Sequence, residues 1–203
     1  MEEELFCVPS QIASHRLILL HGWGADAEDL MPLGECLVNS LQELKIELVS
    51  LRAPKIHPEG VGRQWYGLFP SEWDEALEAV NSLKSRLQNL VSSQLPLEKT
   101  ILLGFSQGGA MALNAGSNLP LAGIVGCSAY PHPGFSPEFL APPVLLVHGT
   151  QDPIVPVSAS EKLLALFHEK SISAKIHLFE GGHEIPQNVY EQIKTFIASC
   201  FYI

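Results

Sequence analysis

Lys99-Thr-Ile-Leu-Leu-Gly-Phe-Ser-Gln-Gly-Gly-Ala-Met-Ala-Leu-Asn-Ala115 decides how the rest of the chain is read. Its first half is a short, continuous apolar run, the pattern of a strand buried on both faces of a parallel sheet. Its second half turns to small and apolar residues at helical spacing. Between them, Gly104, Ser106 and Gly108 form G-x-S-x-G. Five residues alone make a weak motif, but strand, turn and helix in direct succession are the setting a nucleophile elbow requires. A serine in so strained a turn draws its neighbours close enough that a Cβ would clash, so glycines flank it. Ser106 is expected at the top of the sheet. The backbone N–H of Gln107 opens the helix, where free donors and the positive end of the helix dipole favour a developing oxyanion.

Outward from this turn, apolar runs at 16–21, 45–51, 121–128, 143–148 and 174–179 give five more candidate strands. Helical spacing covers 26–44, 73–95, 107–117, 158–169 and 186–200. The alternation predicts an α/β fold, with a mostly parallel sheet of about six or seven strands and helices on both faces. No repeat, low-complexity tract or linker divides the chain, so residues 1–203 read as one domain. Ligands of open α/β sheets bind outside the carboxyl ends of the strands, where chemistry is to be sought.

A serine needs a histidine base and a carboxylate that fixes the imidazole, in the chain order Ser, Asp or Glu, His. The aspartate that follows Ser106 is Asp152, in His148-Gly-Thr-Gln-Asp-Pro-Ile-Val-Pro156 just past an apolar run. Most of the glutamates that compete with it fall on helical stretches whose polar face they would solvate. His168 lies in a helical stretch and His177 in a strand, whereas His183 sits in the loop Phe179-Glu-Gly-Gly-His-Glu-Ile-Pro186 after the last strand. His183 is therefore the expected base. Leu20-His-Gly-Trp-Gly-Ala-Asp26 follows the first strong strand, where the second oxyanion donor is expected as the N–H of Trp23, with His21 bracing the loop.

Composition narrows the function. Hydrophobic residues make up 46% and charged residues 17% of the chain, which excludes a disordered protein. Twelve Lys+Arg against 22 Asp+Glu give −10, so no phosphate-neutralising surface and no nucleic-acid partner is expected. Apolar runs such as 17–20 and 144–147 are far shorter than the roughly 20 residues of a membrane span, so stable membrane insertion is not expected. Met1-Glu2-Glu3-Glu4 lacks the basic start of a secretory signal, and Cys7, Cys36, Cys127 and Cys200 show no metal or disulfide spacing. The reading is a cytoplasmic protein with reduced, mostly buried thiols and neither metal nor organic cofactor, G-x-G-x-x-G and P-loop patterns also being absent. Trp65, Tyr66, Phe69 and Trp73 crowd nine positions, where they either line an acyl pocket or plug a core edge. Trp65, Leu68 and Phe69 are the candidate substrate contacts.

On the four stretches 20–26, 104–109, 148–156 and 181–184 the chain resembles the phospholipase/carboxylesterase family of α/β-hydrolases, which includes acyl-protein thioesterases and small bacterial carboxylesterases. The likeness spans nearly the whole chain. It implies the α/β-hydrolase fold, Ser106 as nucleophile, His183 as base, Asp152 as orienting acid, and the N–H groups of Trp23 and Gln107 as oxyanion hole. Arg63-Gln-Trp-Tyr-Gly-Leu-Phe-Pro70 is shorter than the stretch that leads to Trp-Phe-Asp in eukaryotic acyl-protein thioesterases and looks more like the bacterial esterases. The implied activity is hydrolysis of short- to medium-chain carboxylic esters through an acyl-serine. Acyl-protein thioesterase or lysophospholipase action is the alternative, and a silent ligand-binding module the rival from another class. The partner is a small acyl ester, and the chain a monomer or homodimer.

Overall fold

Strands rich in apolar side chains on both faces need cover on both, and the chain supplies it with helices on each side of one sheet. The computed structural model describes residues 4–7, 13–92 and 94–202. In chain order its strands are β1 (Glu4–Cys7), β2 (His15–Leu20), β3 (Ile46–Leu51), β4 (Lys55–Ile56), β5 (Arg63–Gln64), β6 (Thr100–Phe105), β7 (Gly123–Cys127), β8 (Val144–Gly149) and β9 (Ala174–Phe179). The helices are α1 (Met31–Ser40), α2 (Trp73–Asn89), α3 (Gln107–Gly116), α4 (Ser158–Glu169) and α5 (Tyr190–Phe201).

Seven strands form the main sheet in the order β1-β3-β2-β6-β7-β8-β9. All neighbours are parallel except β1, which runs antiparallel to β3 at the edge. The six runs read from the sequence are the six parallel strands; β1 is four residues long, too short to show a period. The acidic opening at 1–3 lies outside the described residues. β4 and β5 pair as a separate hairpin.

Successive residues of a strand face opposite sides. Ile18 and Leu20 thus pack with Leu102, Ile124 and Leu146 under α2, α3 and α4. Leu17 and Leu19 pack with Leu103, Val125 and Leu145 under α1 and α5. This two-sided burial is why the central strands read as apolar runs, whereas β9 at the sheet edge carries Lys175 and His177 and is only partly buried.

Two helices are shorter than their spacing suggests. α1 starts at Met31 with a proline in its first turn, the place where a missing N–H is harmless. Residues before it form turns, with the Ala27 N–H donating to Asp26 Oδ1 at 2.7 Å. α2 ends at Asn89, and the chain then turns so that the Leu95 N–H donates to Ser92 Oγ at 3.1 Å ahead of Pro96. Of the three cysteines with described side chains, Cys127 is buried, Cys36 exposed and Cys200 half-buried, all free. The thiols are therefore less buried than expected, because α1 turns Cys36 outward. No helix among the described residues is long and apolar enough to cross a membrane.

The glycines of the turn after β6 answer to close approach. A Cβ at Gly104 would lie 2.2 Å from Gly108 O, and one at Gly108 only 2.0 Å from Leu20 O. Both obstacles are backbone. Gly108→Ala is expected to destabilise the protein by about 2–3 kcal/mol or prevent folding, read from urea unfolding against wild type.

Candidate active site

Ser106 joins β6 to α3 at φ +53° and ψ −116°. A non-glycine residue in such a region costs about 1–3 kcal/mol and survives only where its surroundings hold it. Here the Ser106 N–H donates to Cys127 O at 2.8 Å and the Ala110 N–H donates to Ser106 O at 3.0 Å. His183 Nε2 lies 3.0 Å from Ser106 Oγ, and His183 Nδ1 lies 2.7 Å from Asp152 Oδ2. The carboxylate only accepts, so Nδ1 carries the imidazole proton and Nε2 presents a lone pair to the serine. Asp152 Oδ1 accepts from the N–H groups of Ile154 and Val155, each at 2.9 Å. Burial pushes the Asp152 carboxyl up, but the hydrogen bonds from His183, Val155 and Ile154 together outweigh it and hold the group below its ordinary value.

The loop after β2 runs beside the serine: a Cβ at Gly22 would sit 3.6 Å from Ser106 Cβ. His21 braces this loop, with Nδ1–H donating to Gly22 O at 2.8 Å and Nε2 accepting from the Ala53 N–H at 3.1 Å. The β4–β5 hairpin clamps the other side. The Gly24 N–H donates to Arg63 O at 2.9 Å, the Arg63 N–H to Ala25 O at 2.7 Å, and Trp23 Nε1–H to Gln64 Oε1 at 2.8 Å. Among the described hydrogen bonds, the backbone N–H groups of Trp23 and Gln107 have no acceptor, so both remain available to a ligand oxygen. The fully buried Gln107 side chain accepts from the Trp65 N–H at 3.0 Å and donates to Tyr66 O at 2.8 Å, a clamp the motif does not announce.

Ser106 and His183 open onto a cavity of about 480 Å³ walled by Trp23, Leu68, Phe69, Tyr130, Ile154, Val155, Pro156 and Ala159. Of the three candidate substrate contacts, Leu68 and Phe69 line this cavity. Trp65 does not: it is 2% exposed, and its indole N–H donates to His21 O at 3.0 Å beneath the loop. The aromatic cluster splits, with Trp65 and Tyr66 filling the core and Phe69 82% exposed at the cavity rim. Tyr130 follows β7 and Ile154 and Val155 follow β8, so the carboxyl-end rule pointed to walls that the count of aromatics missed. His168 bonds to Ala174 O at 3.0 Å, away from the cavity, and His177 lies on β9. Among the described residues, no three His, Cys, Asp or Glu side chains are grouped to hold a metal.

The profile of the phospholipase/carboxylesterase family matches residues 3–201. The chain belongs to that family. It is 32% identical to acyl-protein thioesterase 1 of Schizosaccharomyces pombe, with 94% of this chain and 95% of that one aligned. The crystal structure of esterase PE8 superposes with a TM-score of 0.85 at 33% identity, covering 98% of both chains. The Bacillus cereus carboxylesterase, at 23% identity and a TM-score of 0.80 over 99% of this chain and 95% of that one, shares the fold. As a member of this family the protein is a serine hydrolase of the carboxylesterase and acyl-protein thioesterase group.

Behind the cavity wall, Tyr66 Oη lies 2.7 Å from Tyr130 Oη and 2.8 Å from His132 Nε2. Burial pushes the Tyr130 phenol up to about 12 and the His132 imidazole down to about 4, so both are neutral at neutral pH. The unfolded chain takes up a proton at His132 near pH 6.5, and the folded one only near pH 4. Stability is therefore lost as pH falls through that window, by roughly 3 kcal/mol at most. His132→Gln is expected to flatten this part of the profile, checked by urea midpoints of both proteins near pH 7 and about pH 4.5.

Proposed function

We propose that the chain is a serine carboxylesterase acting on short- to medium-chain acyl esters, with Ser106 as nucleophile, His183 as proton carrier and Asp152 as orienting carboxylate. The observation that carries this reading is the hydrogen-bonded line Ser106–His183–Asp152, at 3.0 and 2.7 Å, opening onto an apolar cavity. Ser106 Oγ attacks the ester carbonyl as its proton passes to His183 Nε2, and the oxyanion is held by the N–H groups of Trp23 and Gln107. His183 then protonates the leaving alkoxide, giving an acyl-serine and free alcohol. Water, deprotonated by the same Nε2, attacks the acyl-serine, and His183 returns that proton to Ser106 Oγ as the carboxylic acid leaves. Leu68, Phe69 and Val155 line the place for the acyl chain. The family match over 3–201 supports reading the whole chain as one catalytic domain.

A second reading, hydrolysis of long-chain acyl thioesters, is favoured by the rim of the cavity. Phe69 and Ile154 are 82% and 68% exposed there and would extend the apolar track beyond the cavity itself.

Ser106→Ala is expected to lower kcat by at least about 10⁴-fold while circular dichroism and melting stay those of the wild type. Undiminished turnover would remove Ser106 from the mechanism. Intact mass after treatment with a fluorophosphonate should show one adduct, mapped by peptide sequencing to Ser106. Comparing kcat/KM on butyryl ester, palmitoyl thioester and lysophosphatidylcholine separates the two substrate readings, the first being the preferred substrate on the reading proposed.

A further inference from the structure

His148 is fully buried at the end of β8 and has no part in the chemistry above. Its Nε2 lies 2.8 Å from Val155 O and 3.4 Å from Asp152 Oδ2, and its Nδ1 lies 2.7 Å from Ser160 Oγ on α4. A carbonyl oxygen only accepts, so Nε2 carries the proton. In a neutral imidazole the other nitrogen then only accepts, and the Ser160 hydroxyl donates to it. Every bond from α4 to the reacting serine thereby acquires one direction. Ser160 O–H points at His148 Nδ1, His148 Nε2–H points at Val155 O with Asp152 Oδ2 beside it, and His183 Nδ1–H points at the same Oδ2.

We propose that His148 is a positioning residue for the hydrolysis, fixing the plane of the Asp152 carboxylate so that Oδ2 faces His183. The inference rests on the assignment of Asp152 and His183 made above. A carboxylate turns about its Cβ–Cγ bond with both oxygens moving together, so the groups that hold Oδ1 also set where Oδ2 faces. Oδ1 is held by the N–H groups of Ile154 and Val155 at 2.9 Å. Val155 is in turn held by its carbonyl, the acceptor of the His148 proton at 2.8 Å. His148 thus grips the residue that grips Oδ1, and places the positive edge of its N–H against Oδ2. The Val155 carbonyl sets which nitrogen carries that proton, and Ser160 holds the opposite edge of the ring from α4.

The experiment compares wild type, His148→Leu, His148→Gln and Ser160→Ala, using butyryl ester kinetics and the low-field proton resonance of His183 Nδ1–H. His148→Leu should lower kcat roughly 10–100-fold with KM within about twofold, and should displace or broaden the resonance, as loss of a supporting partner does elsewhere. His148→Gln, whose amide NH₂ can stand where Nε2–H stood, should recover most of both. Ser160→Ala, which keeps the Nε2–H on Val155 O but removes the bond that holds the ring from α4, should displace the same resonance with a smaller fall in kcat, and it serves if the Leu variant does not fold. The proposal is overturned if Leu and Gln variants lose kcat equally, or if the resonance is unmoved in His148→Leu or, where that variant does not fold, in Ser160→Ala. Wild type that neither turns over ester nor labels at Ser106 removes the catalytic assignment and this inference with it. Wild type that does both, beside unaltered His148 variants, removes this inference alone.

Discussion

Holding Ser106 at φ +53° between a parallel strand and a helix forces three backbones into contact, and the rest of the site is arranged by that contact. The turn closes only if Gly104 lets Gly108 O approach and Gly108 lets Leu20 O approach. Leu20 ends β2, so the chain leaving β2 must pass over the serine, which brings Gly22 and Trp23 alongside it. The strain of the elbow and the placement of the facing N–H are thus one packing event. About 1–3 kcal/mol of unfavourable backbone conformation is sustained by the bonds to Cys127 and Ala110 and by the close-packed sheet beneath.

Strand order poses a second problem. Ser106 stands at the end of β6 and His183 follows β9, three places away in the sheet, or roughly 14 Å at normal strand spacing. The loop after β9 crosses that gap by lying against the end of β8, where a Cβ at Gly149 would be 2.3 Å from Gly182 O and 2.4 Å from Gly181 O. The same crossing carries His183 past Asp152, which leaves β8 at that point. A missing Cβ on β8 therefore does for the histidine what Gly108 does for the loop after β2.

How much of this could be read beforehand follows from how each feature is encoded. The parallel strands are legible because burial leaves apolar runs, unbroken at 17–20, 101–103 and 144–147 and interrupted by polar residues in β3 and in the edge strand β9. Ser106, Asp152 and His183 are legible because each falls just beyond one of these strands in a fixed order. β1, with four residues, and β4 and β5, with two each, carry too few positions to show a period. Trp65 was misplaced for a different reason. Crowded aromatics say that apolar area is present and not which way each ring faces; the Trp65 ring turns inward because its N–H finds His21 O. Gln107 and His148 were silent because their partners, Trp65, Tyr66, Val155 and Ser160, are distant in sequence or offset by a loop, and hydrogen bonds of that kind leave no pattern along the chain.

On the function proposed, selectivity for acyl chain length must arise outside the line of proton transfer, since short- and long-chain substrates present the same carbonyl carbon to Ser106. The cavity walls that can tell them apart are apolar, and neither the cavity nor the smaller opening of about 250 Å³ on the other side of His183 is lined by a lysine or arginine among the described residues. That opening instead carries Asp29 and Glu184, so nothing there attracts a phosphate. Discrimination then falls to burial of the acyl chain. Each methylene taken from water is worth about 0.8 kcal/mol, close to fourfold in affinity, for as long as wall or rim remains to receive it. Phe69 and Ile154 lie at the limit of that track, so on the function proposed their exposure sets how far along an acyl chain the gain continues.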